Sequence, residues 1–160
     1  MIDVVAQQLK QKSPFSSREE KVLLGLRMAA SRVQEPWAKY LKTSADLTVA
    51  QYNVLRILRG SHPARLASSD VGERMIALDP DVTRLVDRLV KRRLVDRVHS
   101  RRDRRVVEVG VTEQGLALLR DLDPHVAKLP KALLGHLGQE RLRQLGDLLD
   151  AVIADMGTFP

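Results

Sequence analysis

The sequence contains no cysteine and few aromatic residues, and both shortages limit what the protein can be. Without cysteine it forms no disulfide, holds no metal through thiolates and has no thiol-based redox sensor. One Trp, two Tyr and two Phe are the only aromatic side chains among 160 residues. The core must therefore consist mainly of Leu, Val and Ala, as in many helical proteins.

Long apolar runs are also missing. No stretch of about 18 apolar residues occurs, so no membrane span is expected. The first 20 residues, MIDVVAQQLKQKSPFSSREE, lack the apolar centre of a signal peptide. The predicted location is the cytoplasm, with no membrane partner.

Motifs for enzymatic chemistry are absent as well. The four histidines are scattered, without the HxxxH or HExxH spacing that zinc sites use, and no serine lies in a GxSxG elbow. No glycine-rich loop follows a predicted strand, which disfavours nucleotide binding. We therefore expect no enzyme activity, no cofactor and no metal site. The histidines are His62, His99, His125 and His136.

The positive charge is concentrated in one segment. Residues 81–105 contain ten Lys and Arg against four Asp and Glu, a net +6 of the +7 carried by the whole chain. A basic protein can simply be soluble, but clustering favours a surface that binds nucleic acid. Double-stranded DNA is the predicted partner.

The first half of the chain predicts three helices. Ser16 or Ser17 can cap a long helix over about residues 17–42, whose apolar stripe is either core or the contact surface for a partner helix. Thr48 and Gln51 form a capping box for a second helix. A third, short helix is predicted to be capped by Ser68 or Ser69. The long stripe contains Val22, Leu26, Ala29, Val33, Trp37 and Tyr40.

A fourth helix is predicted to open with Asp79 as N-cap and Pro80 at its first position. Its apolar positions alternate with polar ones at helical spacing, so one face is buried and the other is basic. Two short helices, a turn and this helix constitute a helix-turn-helix. The buried face contains Val82, Leu85, Val86 and Leu89, and the opposite face Arg84, Asp87, Arg88 and Lys91.

From Leu94 the pattern changes to period two, which predicts two strands joined by a basic tip at residues 100–105. A helix-turn-helix with such a hairpin is a winged helix. Thr112 caps a fifth helix that is predicted to continue toward Leu133. A break follows at residues 135–138, and then a last helix carries an apolar stripe of Leu142, Leu145, Leu149, Val152, Ile153 and Met156.

Four segments, LTVAQYNVL, SDVGERM, VTRLVDRLVKRRLVDR and DRRVVEVGVTEQG, resemble the multiple-antibiotic-resistance regulator (MarR) family in their order and spacing. The resemblance spans about Leu47 to Leu119. It implies a mostly α fold with a small β-hairpin wing, in which N- and C-terminal dimerisation helices flank a winged helix-turn-helix. The corresponding regions are 1–46, 47–112 and 113–160, which together form one intertwined unit.

The resemblance also implies which residues meet DNA. The recognition helix would be Pro80 to Arg92, with Thr83, Arg84 and Arg88 at its usual DNA-facing positions, and Asp87 and Lys91 on the same face. Arg101, Arg102, Arg104 and Arg105 would form the wing contacts. Asp103 would brace the wing, where the family often reads Asp-x-Arg-Asp-x-Arg. Here Ser100 replaces the first of those acids, and Pro80 and Asp81 stand where small hydroxyl residues are common.

Alternatives to these roles remain open. Arg84 and Arg88 can instead pair with Asp81 and Asp87 on a solvated face. Arg104 or Arg105 can pair with Asp103 or Glu108, and the Arg92-Arg93 pair is better explained as an exposed helix end than as a base contact. For the aromatic residues Trp37, Tyr40 and Tyr52, the resemblance suggests a ligand pocket, while core packing or a dimer interface explains them equally well.

The predicted function is a homodimeric, sequence-specific transcriptional regulator that binds a palindromic operator. As the family suggests, it would be a repressor released by a small, phenolic or aromatic effector. A two-fold dimer predicts half-sites about 10 bp apart. The alternative is an architectural winged helix without sequence preference, or a protein-interaction module.

Overall fold

The computed structural model describes residues 3–76, 81–100, 103 and 105–155. The chain divides into two compact units, Met1–Leu116 and Ala117–Pro160. Both are mainly helical, and the first also contains a three-stranded sheet. None of the helices in the described ranges combines the length and apolarity needed to cross a bilayer.

The first unit opens with a five-residue helix that the sequence did not predict, α1 (Val4–Gln8), followed by the long helix α2 (Arg18–Ala45). Of the two serines proposed as caps for α2, Ser17 is the one used, since its Oγ accepts a hydrogen bond from the Glu20 amide at 3.1 Å. The helix ends at Asp46, whose φ of 49° places it in the left-handed region. It extends three residues beyond the predicted end at Lys42.

Helix α3 (Val49–Ser61) begins with the predicted capping box. Thr48 Oγ1 accepts from the Gln51 amide at 3.2 Å, while Gln51 Oε1 accepts from the Thr48 amide at 2.9 Å. Seven of its residues are buried, more than in any other described helix, so α3 runs through the centre of the first unit. The most buried side chains there are leucines and valines, as predicted: Leu41, Leu47, Leu55, Leu58, Leu89, Leu94, Val54, Val71, Val95 and Val109.

The sheet contains the two predicted strands, β2 (Val95–His99) and β3 (Val107–Val111), and one that was missed, β1 (Leu66–Ala67). The strand order is β1-β3-β2 and both pairs are antiparallel. The β2–β3 hairpin is the wing, and its register places Asp96 opposite Gly110. A strand of two residues is too short to produce an alternating pattern, which is why the sequence did not indicate β1.

Helix α4 (Ser68–Glu73) starts without the predicted serine cap. Its N-cap is Ala67, which makes no side-chain hydrogen bond. Because Ala67 is extended and paired with β3, Ser68 is already the first helical residue and cannot cap the helix.

Helix α5 (Val82–Lys91) is the predicted recognition helix, but its N-cap is Asp81 and not Asp79. The Asp81 carboxylate accepts a hydrogen bond from the Arg84 amide at 3.0 Å. Both aspartates are good N-caps, so the sequence could not choose between them. Helix α5 begins at Val82, two residues after the predicted start at Pro80. Asp79 and Pro80 themselves lie outside the described residues.

Helix α6 (Glu113–Val126) starts in the first unit and is capped as predicted, since Thr112 Oγ1 accepts from the Gly115 amide at 3.1 Å. Its predicted continuation toward Leu133 is wrong. A separate helix, α7 (Leu129–Leu134), follows, with Pro130 in its first turn. Pro130 has no amide hydrogen to donate to the Val126 carbonyl, and its ring would clash with that carbonyl, so one continuous helix through residue 130 is disfavoured.

The second unit closes with a 3-10 turn (Gly135–Leu137) at the predicted break and then helix α8 (Gly138–Asp155). None of the described residues of α8 is buried. Large apolar side chains are exposed along it, namely Leu145, Leu148, Val152 and Ile153.

Candidate nucleic-acid interface

Helix α5 separates its side chains as the sequence predicted. Val86 and Leu89 are buried, with Val82 and Leu85 half-buried beside them. Thr83, Arg84, Arg88 and Lys91 are exposed and Asp87 is half-buried. Helix α5 therefore exposes one polar, mainly basic face on the surface of the first unit.

Asp81 makes two contacts with one residue of this face. One carboxylate oxygen caps the helix at the Arg84 amide, and the other contacts Arg84 Nε at 3.0 Å. The Arg84 side chain is nonetheless 80% exposed. Part of the alternative interpretation is thus observed, because Arg84 does pair with Asp81. The pairing involves Nε, so the Nη edge of the guanidinium points away from this contact.

Asp87 pairs across elements. Its carboxylate forms an ion pair with Nη2 of Arg97, a residue of strand β2. The alternative pairing of Asp87 with Arg88, its neighbour on the helix, is not the one observed. Sequence reasoning missed Arg97 as a member of this surface, since alternation along β2 does not reveal which helix a strand residue meets.

The hairpin tip is shaped by backbone hydrogen bonds. The Ser100 amide donates to the Val106 carbonyl, and the Val106 amide donates to the Asp103 carbonyl, both at 2.9 Å. The Asp103 carboxylate accepts from the amide of Arg105 at 2.9 Å. Asp103 thus holds the turn through the backbone of Arg105. Three predicted wing residues, Arg101, Arg102 and Arg104, lie outside the described residues.

An ion pair that the sequence did not indicate joins the base of the wing to the residue before β1. Arg65 donates two hydrogen bonds to the carboxylate of Asp96, at 2.6 and 2.7 Å. This contact with Arg65 lowers the pKa of Asp96 below its usual value, and the same pairing raises the pKa of Arg65. The Arg65 side chain also lies over Gly110, where an added Cβ would approach Arg65 Nη1 to 3.1 Å. Arg65 and Asp96 therefore join the segment before β1 to strand β2.

A cleft of about 380 Å³ opens between the start of α4, helix α5 and the hairpin. Its polar lining is made of hydroxyl and guanidinium groups, all hydrogen-bond donors. A phosphate oxygen is the kind of acceptor that such a surface suits. These polar residues are Ser68, Ser69, Thr83, Arg97 and Arg105.

Arg92, expected to mark an exposed helix end, has a structural role. Its guanidinium donates to the carbonyls of Ala45 and Asp46 at 2.7 and 2.8 Å, and its side chain is half-buried. Carbonyls at a helix C-terminus lack intrahelical partners, so a cation stabilises them. Arg92 thereby joins the end of α5 to the end of α2. Arg93, which follows, is exposed and has a φ of 58°.

The aromatic residues considered for a ligand pocket lie in the first unit. The rings of Trp37 and Tyr52 contact each other with centroids 5.8 Å apart and planes tilted by 48°. Tyr52 is buried, while Trp37 and Tyr40 are half-buried. The ring contact fits the packing interpretation of Trp37 and Tyr52.

Comparison with known proteins places these features in a family. The MarR family model matches residues 45–106, which include α3, α4, α5, β2 and the hairpin tip. The crystal structure of a MarR transcription factor from Planctomyces limnophilus is 37% identical, with 86% of this chain and 99% of that one covered and a TM-score of 0.64.

Two further solved structures are similar. BpsR from Bordetella bronchiseptica, whose DNA binding is regulated by 6-hydroxynicotinic acid, is 28% identical with a TM-score of 0.73, and the match covers 83% of this chain and 98% of that one. A mutant of MarR from Escherichia coli in complex with operator DNA is 25% identical with a TM-score of 0.77, and the match covers 88% and 99%. A recognition helix, a wing and this degree of likeness lead to one conclusion: the chain belongs to the MarR family of winged-helix transcriptional regulators.

Proposed function

We propose that this protein is a homodimeric regulator that binds a palindromic operator in double-stranded DNA. One observation carries the proposal: α5 buries Val86 and Leu89 while it exposes Thr83, Arg84, Arg88 and Lys91 on the opposite side. An α-helix fits the major groove, and arginine can donate two hydrogen bonds to the O6 and N7 atoms of guanine. Hydrogen-bonding side chains at these positions can read sequence, which an architectural binder does not need to do.

The wing supplies the second contact of each subunit. Arg101, Arg102, Arg104 and Arg105 lie in the sequence between strands β2 and β3, in the segment predicted as the wing tip. Arg102 or Arg101 inserts into the adjacent minor groove, where a narrow A·T-rich groove attracts arginine. Arg97 and Arg105, which line the cleft beside α5, contact phosphates.

In this proposal, two copies of the chain form the dimer that binds the operator. Residues 1–46 and 113–160 flank the DNA-binding region 47–112, and both flanks carry exposed apolar side chains, including Val22 and Leu23 on α2 and Leu148 and Ile153 on α8. Exposed apolar area of this kind is covered when two chains associate. Two reading helices related by a two-fold axis then meet half-sites about one helical turn, roughly 10 bp, apart.

The regulatory outcome in this proposal is repression that a small aromatic ligand relieves. Support comes from BpsR, whose DNA binding is regulated by an aromatic acid. Trp37, Tyr40 and Tyr52 are the residues that we propose for binding such a ligand. Because the rings of Trp37 and Tyr52 contact each other, a ligand must enter beside these two rings or displace one of them.

Selection of genomic fragments with the purified protein tests the proposal. We expect one palindromic site to be enriched and to bind at least about 10³-fold more tightly than random DNA. Replacement of Arg88 by Ala should weaken binding to that site by about 1–3 kcal/mol, on the order of 5- to 150-fold, because a bidentate base contact is lost. An Arg120→Ala variant, which removes an exposed arginine of α6, is the matched control.

Two results would contradict this proposal. If no site is enriched and binding depends only on salt concentration, the basic surface is a general phosphate-binding surface and the protein is an architectural DNA binder. If a site is enriched but Arg88→Ala binds it as tightly as Arg120→Ala does, α5 does not read the sequence through Arg88.

A further inference from the structure

We infer that Asp81 and Asp87 are specificity-determining residues that act through the arginines they hold, Arg84 and Arg97, and not through contacts of their own with DNA. This inference rests on the proposed function and deepens it. Both acids lie on or beside the basic face of α5, where a negative charge repels the phosphates of DNA. Each acid, however, forms an ion pair with an arginine of this surface and orients it.

The contact with Asp81 fixes the orientation of Arg84, which we propose contacts bases. One oxygen of its carboxylate holds the Arg84 amide and the other holds Nε, both at 3.0 Å, so backbone and side chain of Arg84 are fixed by one group. Nε is the nitrogen that bidentate recognition of guanine can spare, since Nη1 and Nη2 together can donate to O6 and N7. Arg84 is 80% exposed, so this Nη edge is accessible. Asp81 therefore orients Arg84 without blocking it.

The Asp87 contact places a wing residue against the reading helix. Arg97 Nη2 meets the Asp87 carboxylate, and both side chains are about two-fifths exposed. Arg97 also lines the cleft beside α5, next to Thr83. A single ion pair thus fixes Arg97 relative to α5, while its position on β2 fixes it relative to the wing. The sequence analysis placed Asp87 among the residues that contact DNA. This geometry assigns it a different role, which is to position Arg97.

Charge gives these pairs their effect on specificity. Sequence-independent affinity arises from phosphates neutralised by Lys and Arg, with a slope in log salt of about −0.9 per phosphate. An arginine held by an acid contributes less to this general term, because the acid already neutralises it. The same arginine, held in one conformation, loses less side-chain entropy when it meets the correct base or phosphate. Both effects increase the ratio of specific to non-specific binding, and that ratio is what specificity measures.

The variants Asp81→Asn and Asp87→Asn remove one charge each and keep the size of the side chain. Asn is also a good N-cap, so Asp81→Asn retains the start of α5. Glu35→Gln, an exposed acid on α2, is the control for a change of net charge alone. Each protein is titrated against two probes across a range of salt: the site enriched from genomic fragments and a 30-bp random-sequence duplex.

For both Asn variants we expect the random duplex to bind about threefold or more tightly, with a salt slope steeper by about 1–2 for a dimer. Binding to the enriched site should not tighten in proportion, so the specificity ratio should fall by about threefold or more. Glu35→Gln should leave the ratio unchanged. Equal ratios for the Asn variants and Glu35→Gln, with a site enriched by the wild type, would overturn this inference and leave the proposed function intact. If the wild type enriches no site, the proposed function itself fails.

A double variant tests whether Asp87 acts through Arg97. If it does, Asp87→Asn should change the specificity ratio of the wild type but not that of an Arg97→Gln protein, since the group it positions is already gone. Equal effects in the two backgrounds would contradict a positioning role. Thermal unfolding of all variants identifies any that lose binding because they lose the fold, and the two Asn variants are expected to unfold within a few degrees of the wild type.

Discussion

The arginine side chains of the first unit have different partners, and these partners distinguish what each arginine does. Arg92 is half-buried against the carbonyls that end α2, while Arg65 holds a carboxylate at the base of the wing. Arg84 and Arg97 form ion pairs with Asp81 and Asp87 on and beside the exposed polar face of α5. The same guanidinium group thus contacts helix-end carbonyls in one place and carboxylates in others. Only exposure and partners distinguish these roles.

The Arg65–Asp96 pair makes stability depend on acidity in a predictable direction. Because Arg65 lowers the pKa of Asp96, the folded state favours the ionised carboxylate more than the unfolded state does. The resulting stabilisation is fully present above the pKa of Asp96 in the unfolded chain and is lost as the pH falls through its lower folded value, below about pH 4. Both side chains are partly exposed, so the pair contributes about 0.5–1 kcal/mol.

Thermal unfolding from pH 7 to pH 3 measures this effect. Asp96→Asn should lower the Tm at pH 7 by a few degrees. The difference from wild type should shrink as the pH falls. Asp121→Asn, at an exposed position of α6, is the control and should show no such convergence. A difference between Asp96→Asn and wild type that stays constant down to pH 3 would show that the ion pair does not stabilise the wing.

The sequence predicted which side chains of a helix are exposed, because that follows from helical periodicity. It did not predict contacts between residues that are far apart in the chain. The exposed positions of Thr83, Arg84, Arg88 and Lys91 follow from the spacing of apolar residues around them. Arg65 and Asp96 are 31 positions apart, and no local pattern connects a loop residue with a strand residue at that distance. Tertiary contacts of this kind depend on how elements pack.

The start of α6 packs closely against the turn after α5. Thr112 donates its hydroxyl hydrogen to the Arg93 carbonyl at 2.7 Å, and its amide donates to the Leu94 carbonyl at 3.1 Å. Gly115 lies so close to this backbone that a Cβ added there would come within 2.3 Å of the Leu94 oxygen and 2.8 Å of Val111 Cγ2. The helix can approach the turn after α5 this closely only because residue 115 has no side chain.

Two glycine-to-alanine substitutions should therefore have opposite effects. Gly115→Ala must displace backbone, so we expect a loss of about 1–3 kcal/mol or more. Gly60→Ala, near the end of α3, meets nothing within 4 Å and should stabilise the protein by about 0.4–1 kcal/mol, because alanine restricts the unfolded chain. Urea unfolding of the two variants and the wild type gives both values. A Gly115→Ala protein as stable as the Gly60→Ala protein would show that α6 is not docked at Leu94 in solution.

Element boundaries show where sequence patterns are sufficient. The starts at Thr48 and Thr112 were predicted because each cap stands alone beside a clear helical pattern, whereas the start of α2 was predicted only as Ser16 or Ser17. At α5, the sequence Asp79-Pro80-Asp81 offers two caps, and the folded protein uses the second. At α4, the predicted serine cap fails because pairing of β1 with β3 extends Ala67. Local signals are thus overruled where a neighbouring strand or an equivalent residue competes with them.

At the scale of the whole molecule, charge and apolar surface are separated along the chain. Residues 81–105 carry a net +6, whereas residues 106–160 carry a net −3. The acidic part includes α8, whose exposed apolar stripe lies on the side opposite Arg143, Asp147 and Asp150 at 100° per residue. A repulsive surface would keep DNA away from this helix, and an apolar stripe would attract another protein surface. Such a division suits a chain that binds DNA with one segment and a second copy with another.

Substitutions on α8 test the association of two copies. Aspartate at Val152 or Leu148 would place a charge in an apolar contact, which should raise the dimer dissociation constant by at least about tenfold, since a buried unpaired charge costs more than 1.4 kcal/mol. Ala154→Asp adds the same charge on the opposite side of the same helix and is the control. Sedimentation at several concentrations measures the dissociation constant of each protein. If the wild type is monomeric at every concentration, or if all three variants behave alike, α8 is not the dimer contact. If only Val152→Asp and Leu148→Asp dissociate, they should also lose affinity for a two-half-site operator but not for a single half-site, because the DNA-binding surface of each subunit is unchanged.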